Sequence, residues 1–244
     1  MGTERVDLAA AAERGIVVTN TPGANASSVA DLTGGFLFAL ARHIAAADRA
    51  VQRSSWPRVE GVGVGGKRLG LVGMGAIGKE VAVRASALGC TVGAHDPLLD
   101  QASADLRHVT RAVLDEVIAT ADFVSLHVPS NPDTRGMVNA SFLRAMKPGA
   151  FLINTVRGDL VDEEAMADAI GGGHLAGAAL DTLSCEPPQK SHVLLDLENV
   201  LVTPHMGAHS DEAVGGMSRM ATADCLGVLD GRPPRFPVNQ GRKT

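Results

Sequence analysis

The stretch KRLGLVGMGAIGKEVAVRASALGCTVGAHD, residues 67–96, decides the fold. An apolar run enters the pattern Gly73-x-Gly75-x-x-Gly78, an alanine-rich helical run leaves it, and a second apolar run ends at Asp96, 18 residues after the last glycine. A glycine pattern alone is a weak signal, because glycine-rich turns are common. Its place between a strand and a helix, with an acidic residue at the end of the next strand, predicts a dinucleotide-binding βαβ unit.

Each glycine in this pattern has a mechanical role. Gly73 permits the tight turn, Gly75 lets the backbone approach a pyrophosphate, and Gly78 lets helix and strand pack closely. The N-terminus of the helix adds free amides that favour an anion. Asp96 would accept hydrogen bonds from the ribose hydroxyls and repel a 2′-phosphate, and no arginine follows it at positions 97–99. The stretch therefore predicts NAD as the cofactor and disfavours NADP.

Further apolar runs recur along the chain. They are RLGLVG at 68–73, CTVGAHD at 90–96, FVSLHV at 123–128, AFLINT at 150–155, LAGAALD at 175–181 and NVLVTPH at 199–205. Continuous apolar runs separated by amphipathic segments indicate parallel strands joined by crossover helices. We therefore predict an α/β fold with a Rossmann-type, doubly wound parallel sheet.

Helices are predicted between these runs and at both flanks. Asn139 and Asp162 precede helical stretches as capping residues. Apolar residues at three- and four-residue intervals predict one long amphipathic helix within residues 25–52, and a second long helix within 210–231. Gly34 and Gly35 are poor helix formers, so we interpret them as a sign of close contact with another helix.

Composition narrows the class of protein. The 244 residues carry a net charge of −5 and no long run of Lys or Arg, so we expect no nucleic-acid partner. No apolar run approaches the ~20 residues that span a bilayer, so we expect no membrane insertion and a cytoplasmic protein. Cys90, Cys185 and Cys225 lack CxxC spacing, and we interpret them as buried thiols in a reducing compartment.

Three segments at predicted strand ends carry polar groups that are unusual in a buried sheet. They are NTVRGDLVDEE at 154–164, ALDTLSCEPP at 179–188 and VTPHMGAHSDE at 202–212. Ligands of open α/β sheets bind beyond the carboxyl ends of the strands, where these segments would lie. Together with ERGIVVTNTPGANASSVAD at 13–31 and MKPGAFLINTVRGDLVDEEA at 146–165, they make the chain resemble the D-isomer-specific 2-hydroxyacid dehydrogenase family over nearly its whole length.

The resemblance implies a catalytic set at Arg157, Glu186 and His205. Arg157 would hold the substrate carboxylate through a bidentate ion pair and polarise the carbonyl group. His205 would be the general acid/base at the C2 oxygen, and Glu186 would orient its imidazole and stabilise the charged form. The implied substrate is a small 2-hydroxy or 2-keto acid, and the implied assembly is a homodimer.

The resemblance also implies a set of cofactor contacts. Besides the three glycines, they fall on Ala76, Ile77, Asp96, Val128, Pro129, Thr155, Val156, Asp181, His205 and Gly207. His205 and His209 have the four-residue spacing of some zinc pairs, but Pro204 precedes the first and no companion ligand motif is present, so we expect no metal. His95 and His127 end predicted strands, and we interpret them as structural or loop residues.

Three parts of a family member are expected along the chain. Residues 1–66 would be the C-terminal part of an N-terminal substrate lobe with a linker helix, residues 67–204 the NAD-binding domain, and residues 205–244 the returning helix and tail of the substrate domain. The first and last parts would be the remnant of a flavodoxin-like domain. We accordingly expect this chain alone to bind NAD and to turn over substrate poorly or not at all.

The substrate and the kind of activity stay open at this point. Phosphoglycerate dehydrogenases and hydroxypyruvate or glyoxylate reductases are the most similar branches, whereas the formate-oxidising branch has Gln in place of Glu186. An NAD(H)-responsive corepressor-like protein and an inactive truncated paralogue are the alternatives. The presence of Arg157, Glu186 and His205 weighs against the corepressor-like alternative.

Overall fold

A computed structural model describes residues 2–3, 6–105 and 108–239 of the chain. Its sheet has seven strands in the order β3-β2-β1-β4-β5-β6-β7, and every neighbouring pair is parallel. The strands are β1 Arg68–Val72, β2 Thr91–His95, β3 Val109–Arg111, β4 Phe123–Leu126, β5 Phe151–Asn154, β6 Gly177–Leu180 and β7 Val200–Val202. This order, with the chain running outward from β1 in both directions, confirms the predicted doubly wound α/β fold.

The helices connect these strands and flank the sheet in sequence. They are α1 Leu8–Glu13, α2 Ala26–Ala41, α3 Ile44–Gln52, α4 Ala76–Ala87, α5 Gln101–Asp105, α6 Leu114–Thr120, α7 Ala140–Ala145, α8 Glu163–Gly171 and α9 Asp211–Leu229. Asn139 accepts hydrogen bonds from the amides of Ser141 and Phe142, and Asp162 accepts one from Ala165. Both predicted helix caps are therefore confirmed.

Two apolar clusters cover the two faces of the sheet. Along β5, Phe151 and Ile153 belong to one cluster, and Leu152 between them belongs to the other. The ring of Phe151 stacks on that of Phe123 in β4, with centroids 5.0 Å apart. Because alternate residues of a strand point to opposite faces, a sheet covered on both sides needs continuous apolar runs. For this reason the six apolar runs of the sequence predicted six of the strands.

Strand β3 is an addition to the six predicted strands. Of its three residues only Val109 is buried, while Thr110 and Arg111 are exposed. An edge strand is covered on fewer sides than a central one, so it needs little apolar sequence. Its pattern is therefore too short and too polar to be read as a strand.

The prediction of one continuous helix within residues 25–52 was wrong. The chain forms α2 and α3, which are bent by 64° around His43 in the left-handed conformation, with φ 51°. At the end of α2, the carbonyl of Ala41 accepts a hydrogen bond from the amide of Val62 at 2.8 Å instead of one from a further turn of the same helix. Among the described residues, no single helix is long and apolar enough to cross a membrane, and only this bent pair reaches that length and composition together.

The chain divides into two units, Val29–Gly207 and Met1–Ser28 with Ala208–Thr244. The larger unit contains the whole sheet. In the smaller unit, an extended segment near the start of the chain pairs with one near its end: Val238 donates to the carbonyl of Val18 at 2.9 Å, and Asn20 donates to that of Phe236 at 3.1 Å. Helix α9 of this unit confirms the second long helix, and its N-cap Ser210 accepts from Ala213.

The cysteines differ from the expectation of three buried thiols. Cys90 is buried beside the sheet, as expected, whereas Cys185 and Cys225 are exposed. Cys185 lies in the long connection between β6 and β7, and Cys225 lies on the outer side of α9. A thiol is only weakly polar and occurs both at the surface and in the core. The sequence therefore did not determine whether each cysteine is buried.

Candidate active site

The glycine turn after β1 has the geometry that its sequence predicts. Gly73 adopts φ 104°, and a Cβ there would lie 2.6 Å from the carbonyl carbon of His127. A Cβ on Gly78 would overlap the carbonyl oxygen of Gly73. A Cβ on Gly75, in contrast, would meet nothing within 4 Å. Gly73 and Gly78 are thus required by the fold itself, while Gly75 leaves room in front of the turn.

That room lies at the N-terminus of α4, whose N-cap is Gly75. Ala76 and Ile77 are the first residues of this helix, and amides in the first turn have no acceptor within their own helix. Backbone amides at a helix N-terminus, next to a position without a side chain, are the donor set that a pyrophosphate requires. The residues present therefore fit a dinucleotide such as NAD.

Asp96 follows β2 and is tied to the same turn. Its Oδ2 accepts a hydrogen bond from the amide of Met74 at 2.7 Å, and its Oδ1 accepts one from the amide of Leu98 at 2.8 Å. Each oxygen of an ionised carboxylate can accept two hydrogen bonds, so both keep capacity for ribose hydroxyls. Asp96 thus fits the predicted ribose site and also holds the glycine turn.

The turn after β5 carries the predicted residues Thr155, Val156 and Arg157, and Asn154 holds it in place. The buried side chain of Asn154 accepts from the amide of Val156 at 3.0 Å and donates to the carbonyl of Arg157 at 2.7 Å. The guanidinium of Arg157 donates to the carbonyl of Val156 at 2.6 Å. Asn154 was not predicted as a site residue, although a polar residue at the end of an apolar run was the available signal.

Thr155 and the residues after β4 line the same edge of the sheet. Thr155 is buried, and its hydroxyl lies 3.4 Å from that of Thr33 in α2. Val128 and Pro129 follow β4, and the Val128 amide lies where a side chain on Gly73 would meet it. These predicted cofactor contacts therefore border the glycine turn and the carboxyl ends of β4 and β5.

Glu186 and His205 meet although 19 residues separate them. The Nδ1 atom of His205 lies 2.9 Å from Oε2 of Glu186, and Oε1 of Glu186 accepts the amide of Leu183 at 3.1 Å. A carboxylate only accepts hydrogen bonds, so the proton belongs on Nδ1 and Nε2 is left for another partner. The His205 side chain is 46% exposed and can reach a ligand.

Asp181 holds the segment that presents His205. Its Oδ1 accepts the hydroxyl of Thr203 at 2.5 Å and the amide of Met206 at 2.8 Å, and its Oδ2 accepts the amide of Gly207 at 2.7 Å. Asp181 is almost fully buried, so all three bonds are shielded from water. His205 itself has a positive φ of 54°, a conformation that surrounding contacts must hold in place. The observed role of Asp181 is to fix this turn, whereas its predicted contact with the cofactor remains a prediction.

The connections after β5 and β6 touch each other. A Cβ on Gly158, next to Arg157, would overlap the backbone of Leu183 and Ser184. The backbone beside Arg157 therefore lies directly against the loop that carries Glu186. Only a glycine permits this approach, because any side chain would push the two loops apart.

His127 is buried under the glycine turn. Its Nε2 lies 3.0 Å from the hydroxyl of Ser125, and its Nδ1 is buried without a hydrogen-bond partner among the described residues. Burial lowers the pKa of His127 to about 4, because a charged ring would lose its hydration there. His127 is therefore neutral near pH 7 and part of the packing at this end of the sheet. Within residues 2–3, 6–105 and 108–239, no group of three or more His, Cys, Asp or Glu could hold a metal ion.

Fold and site together define a dinucleotide-binding α/β domain with an acid–histidine pair at the carboxyl edge of its sheet. Residues 35–207 match the family model described as D-isomer specific 2-hydroxyacid dehydrogenase, NAD binding domain. The chain therefore belongs to the D-isomer specific 2-hydroxyacid dehydrogenase family and carries its NAD-binding domain.

Individual relatives agree with this assignment. The D-3-phosphoglycerate dehydrogenase of Synechocystis is 40% identical over 241 residues, which cover 98% of this chain and 43% of that protein. The crystal structure of the TT0316 protein from Thermus thermophilus matches with a TM-score of 0.90 and 41% identity, covering 98% of this chain and 76% of that one. D-lactate dehydrogenase with NAD+ from Lactobacillus jensenii matches with a TM-score of 0.87 and 28% identity, covering 98% and 77%. The chain thus spans less than half the length of the Synechocystis enzyme and about three quarters of each crystallised one.

Proposed function

We propose that the protein is an NAD-dependent oxidoreductase that interconverts a short D-2-hydroxy acid and its 2-keto acid. The observation that carries the proposal is the Glu186–His205 pair at 2.9 Å, beside a loop that presents Arg157. A buried Asp181 fixes the histidine turn, and the glycine turn fits a dinucleotide on the same edge of the sheet. Family membership supports the same reaction class.

Each residue of the proposed set has one task in this reaction. In the oxidation, Nε2 of His205 accepts the proton of the C2 hydroxyl while the C2 hydrogen leaves as hydride, and a C2 carbonyl forms. Bound NAD supplies the hydride acceptor. Glu186 stabilises the imidazolium that results, and Arg157 binds the substrate carboxylate through two parallel hydrogen bonds. In the reverse direction His205 returns the proton to the carbonyl oxygen.

The proposed substrates follow from the relatives. The Synechocystis protein is a D-3-phosphoglycerate dehydrogenase, and a glyoxylate reductase from Paecilomyes thermophila matches in structure with 30% identity and a TM-score of 0.89. We therefore propose phosphohydroxypyruvate, hydroxypyruvate and glyoxylate as the 2-keto acids to test first.

NADH oxidation by the longest form of the protein that its gene encodes tests this function. The panel is the three 2-keto acids above with pyruvate as a fourth. We expect turnover with at least one of them, and loss of about a thousandfold or more of kcat in His205→Ala, because proton transfer would lack its donor. His209→Ala is the matched control, since it removes an exposed histidine four residues away. Turnover that is unchanged in His205→Ala, or absent with all four acids, would contradict the proposal.

We also propose that the protein is a homodimer in the cytoplasm. Gly35 is exposed, and a Cβ on it would meet nothing within 4 Å in the described part of the chain. The neighbouring Phe38 is 40% exposed. A second copy packed on this face of α2 would supply the missing contact, and the free thiols fit a reducing compartment. Light scattering should give twice the chain mass, and Gly35→Leu should lower it; a monomer before the substitution would refute the dimer.

A further inference from the structure

The connection that carries Glu186 has no helix or strand of its own. It covers residues 181–199, between β6 and β7. Within it, Glu186 is bonded to the amide of Leu183, which belongs to the same loop. A loop that must present a carboxylate to a histidine within hydrogen-bond distance needs anchors on the rigid part of the fold. The structure provides one such anchor outside the site described above.

Glu163, the first residue of α8, binds this loop at two points eight residues apart. Its Oε1 accepts the amide of Ser184 at 2.8 Å, and its Oε2 accepts the hydroxyl of Ser184 at 2.6 Å. The same Oε2 lies 3.1 Å from Nε2 of His192. Glu163, Ser184 and His192 are called the Glu163 clamp below. Because the clamp joins residues 184 and 192, it closes the segment that contains Glu186.

The contact between Glu163 and His192 is well shielded from water. The side chain of His192 is 13% exposed and that of Glu163 is 11% exposed. Nδ1 of His192 faces the amide of Leu194 at 3.4 Å, so it acts as the acceptor, and the proton lies on Nε2 toward Glu163. Leu194 is fully buried and fixes this end of the segment in the core. Both ring nitrogens of His192 are thus used within the fold.

Glu163 is itself held by the start of its helix. Asp162 caps α8 by accepting the amide of Ala165 at 3.0 Å, and a carboxylate in the first turn is favoured by the helix dipole. The clamp therefore connects a capped helix to the loop of Glu186. The backbone of Gly158 packs on Leu183 and Ser184 from the other side.

We propose that Glu163 and His192 are positioning residues that hold Glu186 in place against His205. In the described part of the chain no hydrogen bond or ion pair joins them to Glu186 or His205, and they act by fixing the backbone on both sides of Glu186. The consequence for turnover rests on the proposed dehydrogenase function, whereas the consequence for the Glu186–His205 hydrogen bond does not. Two separate readouts can therefore be measured.

Two substitutions remove hydrogen bonds of the Glu163 clamp and are called the opening variants. Two matched control substitutions keep these bonds. Glu163→Gln leaves only one oxygen to accept hydrogen bonds where two are used, and His192→Leu removes the second anchor. His192→Gln places an amide donor near the position of Nε2 and keeps that bond. Glu164→Gln changes the neighbouring acid of the same helical turn. Glu164 is exposed and lines, together with the three clamp residues, a cleft of about 450 Å³, and no hydrogen bond joins its side chain to the loop in the described part of the chain.

The first readout is the ¹⁵N resonance of His205 Nδ1 in the folded 244-residue chain, assigned with His205→Gln. We expect Glu163→Gln and His192→Leu to move it toward the position of an imidazole that has lost its carboxylate acceptor, and the two control variants to leave it in place. The second readout is steady-state NADH oxidation by the longest form of the protein that its gene encodes. In Glu163→Gln and His192→Leu we expect kcat to fall by about tenfold or more, with an unchanged KM for NADH.

An unchanged Nδ1 resonance in a folded Glu163→Gln or His192→Leu chain would overturn the proposal, and so would an equal shift in Glu164→Gln. If one opening variant does not fold, the other still decides the result. If the unsubstituted protein has no turnover, the proposed function fails, but the resonance still tests the clamp. The two failures are thereby distinguishable.

Discussion

Gly75 and Gly78 lie in one turn but have different surroundings. A methyl group on Gly78 would overlap the Gly73 carbonyl, whereas one on Gly75 would face open space. We expect Gly78→Ala to lower the free energy of unfolding by about 1–3 kcal/mol, the usual cost of overpacking. Gly75→Ala should leave stability unchanged and weaken NADH binding at least tenfold, because the methyl group would occupy the approach of the pyrophosphate. Urea unfolding and calorimetric titration measure both variants; equal stability losses would contradict this reading.

Asp181 is the residue on which the histidine turn depends. Asparagine has nearly the same shape, but it has one acceptor oxygen where aspartate has two. It therefore loses either the bond from Gly207 or the bonds from Met206 and Thr203. We expect Asp181→Asn to lower the free energy of unfolding by about 1–3 kcal/mol, because a buried donor loses its partner. The exposed Asp196→Asn serves as the control. If both variants unfold at the same urea concentration as the unsubstituted chain, Asp181 does not hold the turn.

His127 makes stability depend on pH. Burial lowers its pKa to about 4, while the unfolded chain keeps a value near 6.5. The unfolded state therefore takes up a proton first as the pH falls, and stability that is fully present above pH ~6.5 is lost down to pH ~4, by roughly 3 kcal/mol. His127→Gln should flatten the unfolding free energy between pH ~7 and ~4.5, while the exposed His209→Gln should not. An identical pH slope in both variants would argue against the buried neutral ring.

The side chains that could be predicted from sequence are those whose chemistry follows from a local pattern. The glycines and Asp96 belong to one short motif with fixed spacing, whereas Arg157, Glu186 and His205 were predicted from the family resemblance. Glu163 was not predicted, because its partners Ser184 and His192 come from a loop far along the chain. Asn154 was not predicted either, although its partners lie in its own turn. A polar residue near a strand end has many possible partners until the fold brings one to it.

At the scale of elements, the connections after β5 and β6 form one unit. Gly158 allows them to touch, since any Cβ there would overlap the Leu183 and Ser184 backbone. We expect Gly158→Ala to destabilise the chain by about 1–3 kcal/mol and to loosen the loop of Glu186. Gly171 is the last residue of α8, and a Cβ there meets nothing within 4 Å among the described residues. Gly171→Ala should therefore be neutral or stabilising, by up to about 1 kcal/mol. Thermal unfolding compares the two, and a neutral Gly158→Ala would show that the loops are free to separate.

Elements with continuous apolar sequence were predictable, and elements set by tertiary contacts were not. The six central and outer apolar runs became strands because helices cover both faces of the sheet. The three-residue β3 and the bend at His43 depend on neighbours far along the chain: β3 pairs with β2, and Val62 takes the carbonyl of Ala41. Helical periodicity continues through such a bend, so the sequence contains no signal for it.

At the scale of the whole molecule, the family domain extends over residues 35–207, and its glycine turn, Asp96 and acid–histidine pair all lie in the unit Val29–Gly207. This unit alone holds every residue that we propose to contact NAD or to transfer the proton. Cofactor recognition is therefore expected to be a property of residues 29–207.

Calorimetric titration of NADH and NADPH into the 244-residue chain tests this central claim most directly. We predict one NADH per chain and binding at least tenfold weaker for NADPH, because the Asp96 carboxylate would repel the 2′-phosphate. Asp96→Ala should remove most of this preference. Failure of the folded chain to bind NADH, or equal affinity for the two nucleotides, would contradict the account.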